Sequence, residues 1–211
     1  MRKSVALLVS LLVLLTAGFS FAALDNTYKS YEIQKDGSMK FRLNIPLAVD
    51  YMKRRADLVL KQYNVETVAG KKKQLWGKFI HYTNAVAMLE AHPKIKAICV
   101  FGPFNSWTTF SSDIPNRLIP SSKNPDTWYT LTNVPMATAK TGDWMQYKFV
   151  IDLDAKYIDG EGKPQDYLYV EDPINTFWET VTPKPVGKTA NVSFVDDGFD
   201  GYNSRMIYTK P

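Results

Sequence analysis

Apolar and polar positions follow three rhythms along the chain, and each predicts a different element. Val5 to Leu15 is an almost unbroken apolar run. Two short segments then alternate with a period of two, Tyr31-Glu32-Ile33-Gln34 and Met39-Lys40-Phe41-Arg42-Leu43. Lys35-Asp36-Gly37-Ser38 joins them, and Asp-Gly between alternating runs predicts a β-hairpin. The next rhythm is helical. Val49, Met52, Ala56, Val59 and Tyr63 recur at steps of three and four, which predicts an amphipathic helix over 47–63 with Pro46 at its start. Leu75, Phe79, Tyr82, Val86 and Leu89 predict a second helix over 74–91, ended by Pro93. Gly77 weakens that helix by roughly 1 kcal/mol relative to Ala. Asn64 to Lys73 falls between the two patterns and reads as a loop, with Lys71-Lys72-Lys73 a solvated run.

From Lys94 the pattern changes to short β-type runs broken by Pro, Gly, Asn and Asp: Ile95–Phe101, Thr127–Val134, Trp144–Leu153, Tyr167–Val170, Asn191–Val195 and Arg205–Tyr208. Such spacing predicts an antiparallel β-sandwich. Thr108 to Asp126 and Asp154 to Asp166 read as long loops, the second with Asp-Gly and Glu-Gly turns. The fold class is therefore mainly β, a sandwich over 94–211 preceded by a hairpin and helical segment over 23–93.

The N-terminal apolar run changes the picture of where the chain works. Arg2-Lys3 supply a positive flank, and Ser20-Phe21-Ala22 fits a small-x-small cleavage site, so residues 1–22 read as a signal peptide and Ala23 as the mature start. The run is short for a membrane span. No Cys stands near the expected cut, which argues against a lipid anchor. The expected product is exported, periplasmic or extracellular, with no stable membrane span after cleavage.

Charge adds less. The full chain has 26 basic and 21 acidic residues, a formal +5. Cleavage removes Arg2 and Lys3 and leaves +3, too modest to argue for nucleic acid. Cys99 is the only cysteine, so no internal disulfide can form, and it sits in an apolar strand as a small hydrophobe. Nearly half of the residues are apolar, enough for a core without disulfides, and five Trp and twelve Tyr are unusually many.

Those aromatics have an order. Gly102-Pro103-Phe104-Asn105-Ser106-Trp107 follows an apolar strand; Tyr147-Lys148-Phe149-Val150-Ile151-Asp152 lies downstream; Tyr169 precedes Asp172-Pro173; and Asn191-Val192-Ser193-Phe194-Val195 closes the series. This succession, over about residues 94–196, resembles the family 48 carbohydrate-binding modules. These form the glycogen-binding domain of AMP-activated protein kinase beta subunits and the N-terminal domains of branching and debranching enzymes. The resemblance implies an early-set, immunoglobulin-like sandwich and non-catalytic binding of α-1,4-linked glucan or oligosaccharide. It implies that Trp107 stacks on a glucose ring, that Tyr169 takes the place of a second stacking aromatic, that Lys148 donates to sugar hydroxyls, and that Asn191 binds a vicinal diol. The two predicted long loops depart from the family's pattern.

Each residue also has a plainer role. Trp107 caps a core if it faces inward. Lys148 alternates with Tyr147 and Phe149, so it points out if they point in, where it is simply solvated. Tyr169 with Tyr167 is packing, and Asn191 closes a turn. Asn191-Val192-Ser193 is also an N-glycosylation sequon. The rival role is an early-set module that docks a partner protein and binds no sugar. An enzyme fits less well. His81 and His92 lie on the second predicted helix, outside the sandwich. Glu171-Asp172 and Asp196-Asp197 are adjacent pairs, whereas glycosidic cleavage needs carboxylates facing across a bond. Calcium-loop spacings around Asp152 and Asp196 fail at their glycine and closing-acid positions, and no cofactor motif is present.

Overall fold

A computed structural model describes residues 29–91, 94–108, 116–130, 133–173, 194–196 and 202–211. The expected signal peptide, His92 and Asn191 lie outside the described residues.

Among the described residues the chain is mainly β, with one curled antiparallel sheet and two α-helices. The predicted hairpin forms as β1 (Tyr31–Ile33) and β2 (Met39–Asn44). β2 then pairs with β5 (Thr127–Thr130), so the sheet crosses the boundary that the sequence pattern places at residue 93. Strand order continues through β4 (Arg117–Pro120), β3 (Ile95–Phe101), β6 (Trp144–Ile158) and β9 (Tyr202–Ile207) to β8 (Phe194–Asp196). β7 (Pro164–Val170) pairs with the C-terminal part of β6, on which β9 holds the N-terminal part.

Two predicted loops are ordered strands. Arg117–Pro120 lies in the segment expected to be irregular, and it pairs with both β3 and β5. Residues 154–166 continue the β6–β7 hairpin beyond a bulge to Ile158 and Pro164. Only Asp159 to Lys163 is a true turn, held by Asp159 Oδ1 accepting from Glu161 N and Lys163 N, each at 2.9 Å. The bulge keeps Tyr157 on the core side, buried with its hydroxyl on His81 Nδ1.

Helix α1 (Ile45–Val65) starts where Asn44 Oδ1 accepts from Leu47 N at 3.0 Å, with Pro46 in the first turn. Helix α2 (Ala69–Glu90) begins earlier than the hydrophobic stripe indicates, so Lys71, Lys72 and Lys73 are helical rather than in a loop. The two helices lie antiparallel over one sheet face. Val49, Met52, Val59, Phe79, Val86 and Leu89 meet Phe41, Leu43, Ile98, Val100, Phe149 and Ile151 in one core. The β6–β7 turn and α2 meet backbone to backbone: a Cβ on Gly160 would stand 2.0 Å from the Gly77 carbonyl oxygen, whereas one on Gly77 would lie at an ordinary 3.8 Å from the Gly160 carbonyl oxygen. Among the described residues no helix is long and apolar enough to cross a membrane.

Candidate functional site

Alternation along β3, β6 and β7 gives the sheet two different faces. Ile98, Val100, Tyr147, Phe149, Ile151, Leu168 and Val170 face the helices. The opposite face carries Cys99, Phe101, Val150 and Tyr167, a small cluster separate from the main core. Register fixes their neighbours: Phe101 lies opposite Lys148, and Val150 lies between Cys99 and Tyr169.

Two aromatic rings flank Phe101 on this outer face. Trp107 meets it edge to face, with centroids 5.2 Å apart and planes at 86°. Tyr169 lies at 5.8 Å and 50° from the same ring. Both remain open to solvent, Trp107 at 36% and Tyr169 at 38% of full exposure. Phe101 is buried beneath them, so the three form a shallow apolar platform with two exposed ends. Burial first, then the neighbouring Tyr167 and Cys99, raise the Tyr169 hydroxyl above its ordinary pKa. It stays protonated and can both donate and accept.

The loop that presents Trp107 is built by its own short-range bonds. β3 gives way to Gly102, where a Cβ would stand 2.5 Å from the Gln146 carbonyl oxygen. A single 3-10 turn follows, Pro103–Asn105. Asn105 Oδ1 accepts from Gly102 N at 2.9 Å, and Asn105 Nδ2 donates to Thr108 O at 3.3 Å. Trp107 N donates to Gly102 O at 2.9 Å. Phe104 turns inward and stacks on Phe41 at 5.7 Å, anchoring the loop to the core. Ser106 and Trp107 then both take left-handed backbone conformations, φ 55° and φ 56°. For residues with a Cβ this costs about 1–2 kcal/mol each. The chain turns through these two residues, and Trp107 comes to lie outside, against Phe101.

Of the four expected sugar contacts, the structure brings Trp107 and Tyr169 together around Phe101. Lys148 lies opposite Phe101 in the register, but it is only 7% exposed and its charge acts on His81 of α2, so it is not the solvated side chain that alternation leads one to expect. Its stem is enclosed by neighbours that alternation does not register. Three further residues belong to this face. Phe101 is the common ring under both exposed aromatics. Arg117, exposed, lies opposite Cys99. Arg205 lies over the Trp144 ring at 3.8 Å farther along β6. β4 falls in the segment that reads as a loop, so Arg117 carried no pattern to place it.

The carboxylates lie elsewhere, and they are buried. Asp172 accepts from the Tyr147 hydroxyl and from Ser30 Oγ, and its backbone N–H donates to Ser204 Oγ at 2.6 Å. Arg55 Nε donates to the Tyr82 hydroxyl at 3.2 Å, and that hydroxyl donates to Glu171 Oε1 at 3.4 Å. Burial opposes the Arg55 charge, but Tyr82, Tyr51 and Glu171 more than offset it and hold the guanidinium above its ordinary pKa. Adjacent in sequence, Glu171 and Asp172 thus bond to different partners. Cys99 is buried as expected, and desolvation pushes its thiol up to about 12, against the smaller opposing pull of Arg117. Among the described residues no three His, Cys, Asp or Glu side chains gather to hold a metal ion. No family model, curated protein or solved structure matches the chain.

Proposed function

We propose that this is an exported, non-catalytic carbohydrate-binding protein, and that the outer face of its sheet takes an α-1,4-linked glucan or oligosaccharide across Trp107, Phe101 and Tyr169. The observation that carries the reading is the pair of exposed rings around a buried third, with Trp107 displayed by a loop that accepts two left-handed non-glycine residues. Backbone strain is retained where a function needs a side chain in a particular place. Sugars offer apolar faces and polar edges, which suits aromatic platforms bordered by hydroxyl and cationic donors. Tyr169 and Arg117 supply such donors here. Lys148, opposite Phe101 in the register, and Asn191 complete the proposed ligand set. In its finer form the reading makes the β-rich part an early-set, immunoglobulin-like sandwich.

Native electrophoresis through glycogen or amylose tests this directly. Trp107→Ala should weaken glucan affinity about ten-fold, equivalent to about 1–2 kcal/mol from one ring face against a sugar. Its thermal midpoint should fall only slightly, because an exposed ring loses little packing, whereas a buried Trp truncated to Ala costs about 3–5 kcal/mol. Wild-type protein that passes unretarded through every glucan gel would transfer this platform to the rival role, docking of a partner protein.

A further inference from the structure

The tip of the helical hairpin, far from the aromatic platform in sequence, gathers cationic and exposed apolar side chains, with Lys72 Nζ 4.8 Å from the centroid of the Tyr63 ring. Between residues 61 and 78 five lysines face one acid, Glu66. Glu66 is turned into its own loop: Oε1 accepts from Thr67 N at 2.9 Å and from Val68 N at 2.8 Å. At the apex Val65 is 79% and Val68 54% exposed. Two turns farther back Trp76 is 40% exposed, its ring tilted between Tyr63 and Phe79 at 5.2 and 5.3 Å. An open groove of about 440 Å³ runs between the helices here, with Val65 and Leu75 among its walls. Lys71, Lys72 and Lys73 occupy the start of α2, and no acid stands in its first turn. Cations at the positive end of a helix dipole oppose helix stability, so this cluster is held against local electrostatics.

We propose that the hairpin tip docks on an anionic phospholipid surface, with Val65 and Val68 entering the acyl boundary and Lys71, Lys72 and Lys73 meeting the headgroup phosphates. The spacing suits that occupant. Val68 and Lys72 are one turn apart, about 6 Å at 1.5 Å per residue, within the penetration of about 5–10 Å typical of interfacial helices. The order from apex to base is aliphatic, then cationic, then aromatic about one turn behind the charges, with charged and aromatic side chains backing the apolar tip as at a bilayer interface. Trp76 leans on Tyr63 and Phe79 instead of projecting as an anchor for a protein pocket. The proposal is independent of the glucan site.

The test uses the full chain with Val68→Cys carrying a polarity-sensitive fluorophore; Cys99 is buried and does not compete for the label. The emission should shift to the blue on vesicles of mixed phosphatidylglycerol and phosphatidylcholine, revert at high salt, and stay unshifted on phosphatidylcholine alone. The N-terminal apolar run can hold the protein on either vesicle, but it does not move a probe at residue 68. Replacing Lys71, Lys72 and Lys73 by Gln should weaken the response about a hundred-fold, roughly five-fold per lysine. If that triple variant fails to fold by circular dichroism, Lys71→Gln and Lys73→Gln, both at exposed positions, should each weaken it about five-fold. An unshifted probe on anionic vesicles, an equal shift on both vesicle types, or undiminished binding without the lysines overturns the proposal. A response to poly-glutamate with none to vesicles also overturns it, and assigns the tip to an acidic protein.

Discussion

Ser106 and Trp107 are where local preference and the observed conformation disagree most. Neither residue is suited to positive φ, yet both adopt it, and the Asn105 bonds to Gly102 and Thr108 hold them there. Relief at the first of the pair is testable without touching the platform. Ser106→Gly should stabilise the protein by about 0.5–1 kcal/mol, the left-handed cost removed less the added freedom of glycine in the unfolded chain. Glucan affinity should be unchanged, because the Ser106 side chain is no part of the proposed contact. Thermal melts and a binding isotherm check it, and a loss of stability would mean that the serine side chain supports the loop in a way its φ does not reveal. At this scale the sequence was informative where a residue type has one use. Gly-Pro after an apolar run does end a strand, and Trp107 does emerge beyond it. It was uninformative about cover. Alternation cannot say that the neighbours of Lys148 enclose it, and nothing in the α1 stripe marks Arg55 as buried, since its partners Tyr82 and Glu171 are 27 and 116 residues away in the chain.

The β6–β7 hairpin shows the same limit for whole elements. Asp159-Gly160 and Glu161-Gly162 read correctly as a turn, but polar residues before and after it hide the strands that flank it. Those strands exist because α2 lies against them, through Gly77 and Gly160 and through His81 on Tyr157. That contact gives the element a pH dependence. Burial lowers the His81 pKa; Lys148 lowers it further, and Glu171 and Asp159 oppose the shift. Tyr157, itself raised by burial, stays neutral at these pH values. The folded protein therefore binds the His81 proton less readily than the unfolded chain does. Stability is unaffected well above the ordinary histidine pKa of about 6.5 and falls as pH drops below it, by at most about 1.4 kcal/mol per pH unit. Thermal midpoints between pH 7.5 and 5.5 should decline in the wild type and decline less in His81→Gln. Equal slopes in the two proteins would remove His81 as the cause.

For the whole molecule, the decisive pairing is the one between β2 and β5. The sequence pattern separates an N-terminal hairpin and helices from a C-terminal β region because their rhythms differ, and rhythm is a local property. Which strand lies beside which is not local: Arg42, Leu43 and Asn44 meet Tyr129, Trp128 and Thr127 across more than 80 residues. Met39, Phe41 and Leu43 are fully buried in the common core, and both helices cover the sheet's inner face. Full burial of each such side chain contributes about 1.5–3 kcal/mol, so these three strand residues alone supply an amount comparable to the net stability of a small domain, about 5–15 kcal/mol. A fragment of residues 94–211 would lose them, leave β5 without its partner β2, and expose Ile98, Val100, Phe149 and Ile151 where the helices lay. It should therefore fail to melt cooperatively and should bind a hydrophobic dye, and adding residues 23–93 as a separate chain should restore both a cooperative transition and the aromatic platform on the opposite face. Circular dichroism melts of the fragment, alone and mixed, decide the matter. A fragment that melts sharply on its own would show that the outer-face platform needs neither the hairpin nor the helices behind it.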